Sequence, residues 1–259
     1  MSFSPNDSFW LNVTRGLIDE YDEVHKFGTN DAVGTTFVPI ARGGLYQTPT
    51  AAVALEIVSS SASDTLAGAG ARTVTIEGLD AGWNYVSQTV NMNGLGAVSV
   101  PINLTRAFRM KVTDSGSYAT QTVPSHVGDL TLRTAGAGPT WLLIPSAGFP
   151  RGQTQCGVYT VPNGKSAVVY PHYLSVDSNK SADVIFFTRD NADIVAAPFS
   201  AMKAGLELVG VTGFSLAIDV AAPQGPFVGP VDIGYMGRFG TGTGAISVDF
   251  EIVQYETTV

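Results

Sequence analysis

Arg72-Thr-Val-Thr-Ile-Glu77 alternates strictly between apolar and polar side chains. Val74 and Ile76 fall on one face, and Thr73, Thr75 and Glu77 on the other. A period of two marks a strand with one buried face. Gly78-Leu-Asp-Ala-Gly82 follows as a turn, and Tyr85-Val-Ser-Gln-Thr-Val90 reads as the next strand. Asn93-Gly94 is a type I′ turn signal. Working outward, Val53 to Val58, Ala97 to Val100, Ala107 to Val112 and Asp129 to Arg133 continue the series. Ser59 to Gly70 is a long polar turn region. Strands at this spacing, separated by Gly, Asn and Asp, predict an antiparallel sandwich or barrel.

A second series follows Thr134-Ala-Gly-Ala-Gly-Pro139, which reads as an internal boundary. Its strands are expected at Thr140 to Ile144, Gln155 to Val161, Ser166 to Tyr170, Ala182 to Arg189, Leu206 to Val211, Phe214 to Ile218, Val231 to Met236 and Ile246 to Val253. About eight strands in about 120 residues fit a jelly roll or a related sandwich. Before residue 50 the texture differs. Leu11 to Phe27 reads as a short helix ending at Gly28, and residues 28–50 read as an extended arm. The expected fold is therefore all-β. It comprises an N-terminal arm over 1–50, a first antiparallel β-sandwich-like domain over 51–135, and a second, jelly-roll-like domain over 136–259.

Composition excludes several classes. The chain has 259 residues, with 44% hydrophobic and 14% charged residues and a net charge of −8. Such a chain has enough apolar residues for a core and lacks the basic field that a nucleic-acid backbone requires. One cysteine, Cys156, forms no disulfide framework. No run of 18 apolar residues is present, so no membrane partner is expected. Met1 to Asp7 lacks the basic head and apolar run of a signal peptide.

No constellation of catalytic, cofactor-binding or metal-binding residues stands out. Gly164-Lys-Ser166 ends like a phosphate loop, but Tyr159 stands where the first Gly is needed and a strand follows. Pro162 to Lys165 reads as a hairpin turn. Asp177 to Asp183 starts like a calcium loop, with Ala182 in place of the required Gly and Thr188 in place of the closing Glu. It reads as a polar hairpin tip. His25, His126 and His172 lie far in sequence from one another and from Cys156. The acidic run Asp19, Glu20, Asp22 and Glu23 is either a solvated face or a docking segment. With Arg15, Lys26, Phe27 and Tyr46 it makes a candidate docking arm for a partner. Trp141 and Tyr235 are candidate outer-surface contacts for a glycan.

Several stretches resemble a family of virion structural proteins from tailed bacteriophages, of the capsid-decoration or head-fibre type. They are Arg15-Gly-Leu-Ile18, His25 to Asn30, Gly43 to Pro49, the turn-rich Val58 to Asp80, Gln88 to Gly94, Arg106-Ala-Phe-Arg109, Val158 to Lys165 and Asn179 to Asp183. The likeness spans residues 15–190. It implies a non-enzymatic assembly role without a cofactor. The implied partners are other copies of the chain, as a trimer, and the major capsid protein or another virion protein. The implied location is the outer capsid surface, after assembly in a bacterial cytoplasm. Two alternatives accompany this reading: a neck, collar or tail component, and a host-surface carbohydrate-binding module.

Overall fold

The computed structural model describes residues 12, 13, 15–117, 125–146, 151–177, 179–213, 215–218 and 223–257. The elements among them are seventeen β-strands and one 3₁₀ turn, Arg42–Gly44. The protein is all-β. In chain order the strands are β1 (Tyr21–Val33), β2 (Val38–Pro39), β3 (Leu55–Ser59), β4 (Ala71–Leu79), β5 (Tyr85–Asn91), β6 (Val98–Ser99), β7 (Arg106–Ser115), β8 (Leu130–Thr134) and β9 (Thr140–Ile144). There follow β10 (Val158–Val161), β11 (Lys165–Val176), β12 (Ser181–Arg189), β13 (Lys203–Thr212), β14 (Ser215–Ile218), β15 (Gln224–Val228), β16 (Val231–Phe239) and β17 (Gly244–Glu256).

These strands form four antiparallel sheets. The first has the order β1-β17-β11-β14, with β15 also on β11; the second has β10-β16-β12-β13, with β2 on β16. The third runs β6-β3-β8-β9 and the fourth β5-β4-β7. From β10 onward the chain passes repeatedly between the first two sheets. Strands β3 to β9 belong wholly to the other two.

Two buried clusters match this division. Tyr159, Val169, Phe186, Tyr235, Phe239, Phe250 and Ile252 lie in one, fed by the first and second sheets. Leu55, Ile57, Val74, Ile76, Met110, Leu132 and Trp141 lie in the other, fed by the third and fourth. The clusters interleave where the sheet pairs meet. Leu79 and Phe108 join the first, while Val158 and Phe187 join the second.

The strand read in residues 72–77 is present, but its polar face is not open to solvent, because Thr73, Thr75 and Glu77 are buried as well. Val74 and Ile76 are buried, and β4 is flanked by β5 and β7 on either side. Thr140–Ile144 is β9 as expected. The amino-terminal reading is corrected. Residues 21–27 are not helical but open β1, which pairs with β17 from Tyr21↔Tyr255 to Asn30↔Ile246. Glu23 and His25 take outward positions, and Lys26 takes an inward one that pattern reading assigns to an apolar residue.

The 134–139 segment does not separate two sets of strands. It is the turn between β8 and β9, which pair from Leu130↔Ile144 to Arg133↔Thr140. The Glu56 carboxylate organises it, accepting from Gly136 N at 3.1 Å, Ala137 N at 3.1 Å and Arg133 Nε at 2.7 Å. Neither Pro162–Lys165 nor 177–183 is a hairpin. Each joins strands of different sheets, β10 to β11 and β11 to β12.

The Ser59–Gly70 region is ordered by one carboxylate. Asp64 is fully buried and accepts from Ser59 Oγ at 2.5 Å, Ala71 N at 2.8 Å, Val127 N at 2.9 Å and Gly128 N at 2.8 Å. A Cβ on Gly70 would collide with that carboxylate, which explains why this position is Gly.

Candidate functional site

A cleft of about 680 Å³ lies between β1 and β17 on one side and the fourth sheet on the other. Asp22, Glu23, Lys26, Gln254 and Glu256 face Glu77, Tyr85, Phe108 and Arg109 across it. Its charges are largely matched in pairs. Lys165 meets Glu256 at 2.6 Å and Asp22 at 3.4 Å, and Lys111 meets Glu77 at 2.6 Å. Arg109 donates to the His25 carbonyl and lies 3.8 Å from Glu77.

Lys26 is 2% exposed. Its ammonium donates to the Phe108 carbonyl at 2.8 Å and lies over the Phe108 ring at 5.6 Å. Burial lowers its pKa to about 8, against the ordinary lysine value of 10.5. Beside it, burial raises the Tyr159 and Tyr85 hydroxyls. The cleft is thus lined by an ammonium that loses its proton near pH 8 and by two phenols that remain protonated.

The candidate docking arm is divided by the fold. Asp22, Glu23 and Lys26 line the cleft. Arg15, Asp19 and Glu20 are exposed ahead of β1 and outside the cleft. Phe27 is half-buried, with its ring 5.1 Å from that of His25 and 5.7 Å from the Arg109 guanidinium. Tyr46 joins a separate network through a hydrogen bond to Thr160. Thr160 Oγ1 donates in turn to Asp232 at 2.6 Å, and Asp232 forms a buried pair with Arg106.

The two glycan candidates are corrected. Trp141 is 3% exposed, and its indole N–H donates to Thr134 Oγ1 at 3.0 Å. Tyr235 is 1% exposed and packs edge-on against Phe186 and Phe250. Both are core residues, because each sits on an inward position of its strand. His126 is also fully buried, between Ser125 Oγ at 2.9 Å and the Pro145 carbonyl at 3.2 Å. The side chain of His172 lies outside the described residues.

Sequence spacing missed a cluster made by pairing. His25 lies opposite Glu251, and Phe27 opposite Asp249, so His25, Asp249 and Glu251 share one face of the first sheet. His25 Nε2 is 2.8 Å from Asp249 Oδ1 and 3.7 Å from Glu251 Oε1. Burial is the main cause that raises the Glu251 carboxyl, reinforced by Glu23 and Asp249 and opposed by His25. The separation of 224 residues hides this cluster from any local motif.

No protein-family model matches the chain, and no curated protein matches it. Among solved structures, it shows a likeness to the T=1 particles derived from infectious bursal virus, with 11% identity and a TM-score of 0.21 over 93% of this chain and 75% of that one. A likeness to the VP2 subviral particle of infectious bursal disease virus has 11% identity and a TM-score of 0.19 over 93% and 78%. Likeness at this level does not amount to a shared fold.

Proposed function

We propose that the protein is a non-enzymatic structural component of a bacteriophage particle, a decoration protein that docks on the major capsid protein shell. The strand order carries this reading. The orders β1-β17-β11-β14 and β10-β16-β12-β13 interleave as in a jelly roll, the sandwich used by many capsid and lectin domains. A second sandwich, β3 to β9, is inserted between β2 and β10. Architecture and motif resemblance together support the assignment.

The surface supports an assembly role. Three loops at one end of the inserted sandwich expose Leu66, Leu95 and Val127, all close to the Asp64 hub. The connection between β12 and β13 exposes Ile194, Val195, Phe199 and Met202. Apolar side chains grouped in this way suit contacts with a shell or with further copies of the chain, whose area symmetry multiplies. In this reading the protein acts as a homotrimer on the outer capsid surface. Imaging of particles carrying a labelled copy of this protein tests the assignment. Density distributed over the shell supports it; density confined to the neck or tail overturns it.

A further inference from the structure

We propose that His25, Asp249 and Glu251 bind a divalent cation of the zinc class, which clips the edge strand β1 to the C-terminal strand β17. Their ligand atoms all lie within 4.8 Å of one another. Ligands held 2.0–2.2 Å from one ion at tetrahedral angles stand about 3.4 Å apart. The separations of 2.8 Å and 3.7 Å from the His25 nitrogen bracket that figure. Small side-chain rotations would therefore suffice, and the paired strands hold the three backbones in register.

The donor set also selects the ion. One imidazole nitrogen with two carboxylates suits zinc and its neighbours in the transition series; magnesium and calcium favour all-oxygen sites. Glu251 Oε2 is enclosed and meets no hydrogen-bond donor among the described residues. Glu23 lies on the same face and adds its charge to that of Glu251. One imidazole thus faces three carboxylates, a balance that a dication corrects.

The consequence is mechanical. Strand β1 pairs in its sheet with β17 alone, and His25 and Asp249 are 224 residues apart. An ion shared by the two strands closes that loop in the folded state and raises stability in proportion to its occupancy.

The test uses the full chain, treated with chelator and then freed of it. Zinc chloride is titrated by calorimetry, and thermal unfolding is followed in parallel. One saturable zinc site is expected, with a rise in unfolding temperature that magnesium does not produce. His25→Ala and Asp249→Asn should each abolish saturable binding while leaving metal-free unfolding nearly unchanged, because both side chains are about half exposed. Glu251→Gln, which keeps the side-chain shape, should weaken binding at least about tenfold. Absence of saturable zinc binding up to millimolar concentration, or binding that survives these substitutions, overturns the proposal.

Discussion

Arg106 on β7 and Asp232 on β16 form a two-pronged ion pair, Nε to Oδ1 at 3.0 Å and Nη2 to Oδ2 at 3.1 Å, closed off from solvent. The pair joins the fourth sheet to the second, and so ties the inserted sandwich to the other. Its remaining valences are filled. Arg106 Nη1 donates to the Thr105 carbonyl at 2.9 Å, Thr160 donates to Asp232, and Arg189 stands 3.4 Å from the same carboxylate. The Trp83 ring covers the guanidinium at 4.8 Å.

Breaking one side of this pair should be costly. Arg106→Met leaves a buried carboxylate short of its main partner and is expected to lower stability by about 3–5 kcal/mol. The double variant Arg106→Met, Asp232→Leu should recover much of that loss. Urea unfolding measures both. A single-variant loss below about 1 kcal/mol would contradict the role of the pair as a lock.

Asp64→Ala should loosen the end of the inserted sandwich. Four hydrogen bonds converge on this buried carboxylate, and each bond to a charged group contributes about 1.5–3 kcal/mol. The effects do not add fully, so a total loss of about 3 kcal/mol or more is expected. Limited proteolysis should then cut first within residues 59–70. An unchanged digestion pattern would count against the carboxylate as organiser of that loop.

Lys26 gives the fold a pH dependence with a defined sign. Its folded pKa of about 8 lies below the ordinary 10.5, so the unfolded chain binds more protons between these values. Stability contributed at this position should therefore rise from pH 8 to pH 10.5, by about 3 kcal/mol in total. Lys26→Met should lack this rise and be more stable than the wild type near pH 7. Equilibrium unfolding of both proteins across this range provides the comparison. Parallel pH profiles would show that the amine titrates normally.

Trp141→Ala and Tyr235→Ala should behave as core truncations. Each is expected to cost about 3–5 kcal/mol. Thermal unfolding reads the loss, and glycan binding by the folded fraction should not differ from that of the wild type. A variant of normal stability with altered glycan binding would restore the surface role.

What local pattern reveals here is the strand itself. β4 and β17 alternate between apolar and polar side chains, and β9 is a short apolar run bounded by Pro139 and Pro145, so their positions are legible residue by residue. β1 is not, because the acidic run overlaps its start and Lys26 occupies an inward site. β15 is hidden by Gly225 and Pro226, which read as loop. Pairing is the larger gap. Nothing near Tyr21 announces Tyr255 as its partner, so both the sheet partition and the His25–Asp249–Glu251 cluster emerge only from the fold. Asp232 lies within an expected strand and Arg106 just ahead of another, and alternation alone cannot distinguish water from a buried counter-ion.

The most direct test of the structural role is the number of copies per particle. Quantitative mass spectrometry of purified virions, calibrated against the major capsid protein, provides it. A capsid decoration protein is expected at roughly hundreds of copies, as symmetry-repeated docking requires. A count of about a dozen or fewer, or absence from the particle, would contradict this account.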